Sequence, residues 1–380
     1  MPGSNLDRRK VLERMALLGA ASLLPGFRSA RAADLAAGFV YIGPRLDWGW
    51  NESFAVAAAG LQGVPNVRVA QAGYLPESTD YGSGKDNAET RAYTEAIEDL
   101  IAGHGARLVF STSFDNDPFL LAMAKKYPDV VFRQASALAS DANPPNVGSQ
   151  NALIDQGHYV NGVAAGLCTT TNLLGFVAGL PFGPVLLNVN SFLLGSRQTN
   201  PQATVRVVFM GGWEDEARDA AATNALVDGG CDVIACHLDS PKAVIEAAEA
   251  RGAKTCGHAF DQAPLAPKGY ITGAEYYWTG MFETFIETLQ KGGTLPNFVT
   301  GGYDKDYVRS SPFGAGASPA AINAATTAMQ AMKNDDAIFV GPIKDNTGKE
   351  VVPAGTAYGP YADELQHTDY LIEGVIGSIT

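Results

Sequence analysis

Positive charge is scarce in this chain. Across 380 residues, 27 Lys and Arg face 40 Asp and Glu, a formal charge of −13. Gripping nucleic acid through its phosphates needs a basic face, so the composition argues against a nucleic-acid partner. Long apolar runs are missing too. Beyond residue 32 no segment approaches the roughly 18 uninterrupted apolar residues of a membrane span, and no direct membrane insertion is expected. Cysteine is sparse, with Cys168, Cys231, Cys236 and Cys256 spaced in a way that settles no disulfide pairing.

Recurrent motifs of catalysis and cofactor binding are also absent. Gly82-Ser83-Gly84-Lys85 is followed by Asp86 and lacks the earlier Gly of a phosphate-binding loop. Gly314-Ala315-Gly316 lacks the third Gly of a dinucleotide fingerprint, and neither G-x-S-x-G nor H-E-x-x-H occurs. Cys236-His237 and Cys256-x-His258 could converge on zinc from neighbouring strand ends. Cys at the end of a buried strand, however, ordinarily packs as a small apolar residue. No metal, no cofactor and no enzymatic activity are therefore expected.

What is present begins with a leader. Asp7-Arg8-Arg9-Lys10 form a basic segment, Met15 to Leu24 are almost entirely apolar, and Ala30-Arg31-Ala32 places small residues where a signal peptidase reads them. The apolar stretch is about half the ~20 residues a permanent bilayer helix needs, so residues 1–32 are expected to be a cleaved signal peptide. Adjacent Arg8 and Arg9 before a weakly apolar core favour the twin-arginine route, although Val11 and Glu13 stand where that motif usually has Phe and Lys. No Cys follows the cleavage site to carry a lipid. The leader holds six bases and two acids, leaving 21 bases and 38 acids in the other 348 residues, a formal charge of −17. Such a chain should be soluble and should repel anionic membranes.

The remainder alternates strand and helix signals. Leu35–Gly43, Arg68–Tyr74, Leu108–Thr112 and Val130–Gln134 read as strands, separated by helical patterns over Glu52–Gln62, Asp86–Ala102 and Pro118–Tyr127. The alternation then restarts with a helix at Asp155–Thr169 and strands at Leu174–Gly179, Thr204–Met210, Asp232–Cys236 and Lys254–His258. Helices at Pro184–Asn200, Asp215–Asp228 and Pro241–Arg251 separate them. Apolar strands in alternation with helices imply α/β architecture, two doubly wound parallel sheets in series. Ligand chemistry is then expected outside the carboxyl ends of the strands.

Aromatic and acidic clusters fall at those ends. Asp47-Trp48-Gly49-Trp50-Asn51 follows the first strand, and Gly211-Gly212-Trp213-Glu214-Asp215 follows a strand of the second series. A planar ligand between two lobes wants a ring to stack on and carboxylates or amides for its edge.

With these residues the sequence resembles the basic membrane protein (BMP) family of substrate-binding proteins, which includes the purine nucleoside receptors of ABC importers. Asp47-Trp48-Gly49-Trp50-Asn51-Glu52-Ser53 is similar to that family's D-x-G-F-N-x-S. Matches continue through Ala124 to Phe132, Gly229-Gly230-Cys231-Asp232-Val233-Ile234, Phe339 to Lys349, Val351 to Gly355 and Glu373 to Gly377. The resemblance implies a type I periplasmic-binding-protein fold, two lobes joined by a three-crossover hinge. Lobe one would take residues 34–149 plus 278–330, and lobe two residues 150–277 plus 331–380.

It further implies a monomeric periplasmic receptor that holds a purine nucleoside or nucleobase and delivers it to an ABC permease. Trp50 and Trp213 match the places of the family's stacking rings. Asp47 and Asn51 would face the base or steady the hinge, and Asp261 would bond ribose hydroxyls. Phe114, Asp115 and Asn116 lie in the facing loop of lobe one, with Trp48, Asp239 and Trp278 close by in the family pattern. Two departures bear on the ligand: Trp stands at position 50 where Phe is usual, and His237 and His258 have no assigned place. The alternatives are the same fold holding another small polar or aromatic solute or a signalling molecule, and a secreted nucleoside-processing enzyme.

Overall fold

A computed structural model describes residues 34–72, 88–114, 118–135 and 143–379. The expected leader lies outside these residues. Val- and Phe-rich segments form β1 (Leu35–Val40), β2 (Val67–Gln71), β3 (Leu108–Phe114), β4 (Val131–Ala135) and β5 (Val147–Gln150). Between them run α1 (Trp50–Leu61), α2 (Ala88–Glu98) and α3 (Pro118–Lys126). Every residue of β1 is buried, as a central strand covered on both faces must be.

The chain then passes through α4 (Ile154–Cys168) into a second series. Its strands are β6 (Leu173–Ala178), β7 (Thr204–Phe209), β8 (Val233–His237), β9 (Lys254–Ala259) and β10 (Tyr270–Tyr276). The helices are α5 (Gly183–Thr199), α6 (Glu216–Asp228) and α7 (Lys242–Ala250). Local chemistry sets the ends: Asp215 caps α6 by accepting from the Arg218 N–H, which satisfies one of the helix's orphan donors. After α8 (Trp278–Gln290) come β11 (Phe298–Val299), β12 (Val308–Ser310) and α9 (Pro319–Lys333), capped by Ser318.

The first sheet has the order β11-β5-β4-β3-β1-β2 and all its pairings are parallel. The second runs β12-β10-β9-β8-β6-β7 and ends on the short strand Val375–Ile376, with only β12 antiparallel. The chain crosses between the sheets after β5, after β10 and after β11. The third crossing falls near residue 301, not at 331. Val308–Ser310 pairs with β10 and α9 packs on α4, so residues 308–330, expected with lobe one, are built onto the second sheet.

In each sheet the strand order reverses direction at one place: between β1 and β3, and between β6 and β8. Switch points of this kind open a crevice beyond the strand ends. Here both crevices face one cavity.

Candidate functional site

The loop after β1 is built around one buried carboxylate. Asp47 accepts from the backbone N–H groups of Gly49, Asn51 and Glu52 and from the Asn51 side-chain amide. Burial pushes its carboxyl up to about 6 despite these donors. The network also holds Trp48 at φ 59, a left-handed conformation that costs a bulky side chain roughly 1–3 kcal/mol. Asn51 Oδ1 in turn accepts from the Thr112 hydroxyl on β3, at 2.7 Å.

This loop meets the second lobe directly. The Trp50 N–H donates to the Asp239 carbonyl at 2.9 Å, and Gln262 Nε2 donates to the Trp48 carbonyl at 2.6 Å. Gln262 is anchored on its own side by the backbone N–H and carbonyl of His258. The lobes are therefore in contact on both sides of Gly49, whose backbone lies against Asp239 and Pro241.

Between the lobes lies a cavity of about 260 Å³. Lobe one contributes Ile42, Trp50 and Phe114. Trp50 is fixed by its Nε1–H, which donates to the Thr112 carbonyl at 2.9 Å, and by edge-on contact with Tyr276 at 5.3 Å. The second lobe faces these with Phe182 and Trp213, packed edge to face at 5.5 Å. A glycine at 179 is needed here, since a Cβ would stand 2.5 Å from the Trp213 ring.

Polar groups converge on the same space. Asp155 in the first turn of α4, Asn188 on α5 and Asp239 after β8 all line it. Burial pushes the Asp155 carboxyl up to about 7, which the Gln156 N–H offsets only in part. Asp239 is raised well above the carboxylate range by burial, reinforced by the charges of Asp47 and Glu214, and no described side chain donates to it. Both acids are held protonated far more readily than exposed carboxyls, and ligand N–H donors would reverse that.

The Asp155 shift has a sign that can be checked. Between the unfolded value near 4 and the folded value about 7, the folded chain holds a proton that the unfolded chain has released, so stability falls as pH rises through this window. Asp155→Asn should stabilise the ligand-free protein on the order of 1–3 kcal/mol at pH 8 and by clearly less at pH 5. Thermal unfolding at the two pH values measures this, and an equal gain at both would contradict it.

Of the residues singled out from sequence, Trp50, Phe114, Trp213 and Asp239 line the cavity. Asp115 and Asn116 lie outside the described residues. Asp47 and Asn51 serve the loop, while Trp48 lies against Phe260 at 6.4 Å. Trp278 sits beneath the site, stacked on Tyr276 at 4.8 Å with its Nε1–H donating to Ser53. Asp261 stands off the cavity and accepts from the Ala263 N–H, holding the turn after β9. Asp155, Asn188, Phe182 and Tyr276 were not foreseen, because each lies within or beside an element whose pattern reads as core. All four cysteines are free and buried, and among the described residues no group of His, Cys, Asp or Glu is arranged to hold a metal ion. No helix among the described residues is long and apolar enough to cross a membrane.

Two doubly wound lobes, three crossings and a cavity at the facing switch points define a type I periplasmic-binding-protein fold. A solved ABC transporter solute-binding protein from Conexibacter woesei shares it, with a TM-score of 0.62 at 20% identity over 79% of this chain and 96% of that one. Residues 35–353 match the PnrA-like family of ABC transporter substrate-binding proteins (Bmp), and the chain belongs to that family. A purine-binding protein of Brucella abortus is 30% identical over 341 residues, 90% of this chain and 93% of the relative. A putative ABC transporter glucose-binding protein of Haloferax volcanii is 28% identical, over 75% of this chain and 69% of its own length.

Proposed function

We propose that this protein captures a purine base between its lobes in the periplasm and delivers it to an ABC permease. The observation that carries the reading is the composition of the cavity wall: Trp50 and Phe114 from one lobe, Trp213 and Phe182 from the other, and the carboxyls of Asp155 and Asp239 between them. Aromatic walls supply stacking worth ~1–3 kcal/mol per base. The acids accept from ring N–H groups, the donors a purine carries and an apolar solute lacks. The name of the Brucella relative supports the same class. Asp261, the acid matched to ribose, is not among the residues lining the cavity and accepts from the Ala263 N–H with one oxygen, which supports the base over the nucleoside. The basic, short-cored leader supports export.

Mass spectrometry of small molecules released from protein purified without denaturation tests the reading. A purine mass supports it. A hexose mass would favour the chemistry named for the Haloferax relative and overturn it.

A further inference from the structure

Three histidines, His158, His237 and His258, cluster at the floor of the cavity, and none is explained by stacking or by the two acids. The His237 and His258 rings line it with centroids 4.2 Å apart, and His158 lies behind them. Their hydrogen bonds fix which nitrogen carries the proton. In this amide orientation Asn188 Nδ2 donates to His237 Nδ1 at 2.7 Å, which places the His237 proton on Nε2. His158 Nε2 and His258 Nδ1 are 3.0 Å apart, while His158 Nδ1 is buried without a partner. A buried N–H with no acceptor is rarer and costlier than an unused lone pair. His158 therefore donates from Nε2, His258 accepts at Nδ1, and the His258 proton is also on Nε2.

Burial holds His237 down at about 3 and His158 and His258 well below the ordinary imidazole range, so all three are neutral. Neither His237 Nε2 nor His258 Nε2 is engaged by a described protein group. The cavity floor thus offers two neutral N–H donors from rings 4.2 Å apart, in a cavity that Asn188, Asp239 and Tyr276 also line.

We infer that His237 and His258 are specificity-determining residues that select 6-oxopurines over 6-aminopurines by donating to N7 and O6 of the ligand. This rests on the purine reading above. A 6-oxopurine presents two acceptors along that edge, whereas adenine presents N7 as an acceptor beside an N6 amino donor. Donor would then face donor among buried groups, and a mismatched pair of this kind costs roughly 1–3 kcal/mol, about 5- to 150-fold in affinity. Neutral rings suit the task, since an uncharged base offers no countercharge for a buried imidazolium.

The test is calorimetry of refolded full-length protein against hypoxanthine and adenine. The wild type should bind hypoxanthine at least about 10-fold more tightly. His237→Phe keeps ring area but removes one donor, and the ratio should shrink several-fold; His258→Phe serves as the second variant, with circular dichroism checking that each folds. A merely structural role would weaken both ligands alike and leave the ratio standing, which would overturn the inference. Wild-type protein that binds adenine as well as hypoxanthine overturns it while leaving the purine reading intact. Binding of neither base overturns both.

Discussion

Trp213→Ala is expected to weaken purine binding by about 1–3 kcal/mol, roughly 5- to 150-fold, with little change in the stability of the ligand-free protein. Its indole forms part of the cavity wall, is only partly buried, and makes no side-chain hydrogen bond among the described residues. Removing it leaves the strand ends of the second sheet in place. Trp50→Ala should cost a similar amount in binding but also destabilise the fold by about 3–5 kcal/mol, because that ring is buried among Phe54, Tyr276 and Trp278. The difference between the two variants is the informative result. Calorimetry gives the affinities and thermal unfolding the stabilities. Unchanged affinity in Trp213→Ala would remove stacking from the account.

Gly49→Ala is expected to weaken binding on the order of 1–3 kcal/mol without touching the ligand. Gly49 has φ −159 and ψ −119 at the start of α1, and circular dichroism of the ligand-free variant checks that lobe one folds. The added Cβ would stand 2.1 Å from the Asp239 carbonyl oxygen and 2.6 Å from Pro241 Cδ, atoms of the opposite lobe. The added Cβ penalises the state with the lobes in contact, and a ligand held between lobes needs that state. Small-angle scattering should show compaction on purine addition in the wild type and less of it in the variant. Equal affinity in both proteins would mean that lobe contact at this loop contributes nothing to capture.

Much of this architecture was legible because buried parallel strands must be apolar along their length. Leu35–Val40, Thr204–Phe209 and Val233–His237 announce themselves that way, and their observed limits lie within a few residues of the sequence reading. Tyr270–Tyr276 does not: Tyr-Ile-Thr-Gly-Ala-Glu-Tyr breaks its apolar run with a glycine and a carboxylate. Strands β11 and β12 span two and three residues, too short to show any period, and the position of the third crossing was hidden with them.

The site was legible where a side chain stands in a strand-end loop. Trp50 and Trp213 were singled out on that ground, and Asp239 through the family resemblance; all three line the cavity. Asp155 and Asn188 were missed because they sit in helices α4 and α5, whose sequences read as core-facing. Asp47 left two readings open, facing the base or steadying the hinge: a carboxylate in a ligand-like loop looks the same in sequence whether it faces a solute or, as here, accepts from the backbone N–H groups of its own turn. Hydrogen-bond direction, which no residue pattern carries, separates the two.

The most direct measurement is a calorimetric titration of refolded protein with hypoxanthine, guanine, adenine, their nucleosides and glucose. The account expects at least one purine base to bind with micromolar affinity or better, more tightly than its nucleoside, and glucose to give no heat of binding. Tight glucose binding, or only millimolar binding of every purine, would contradict it.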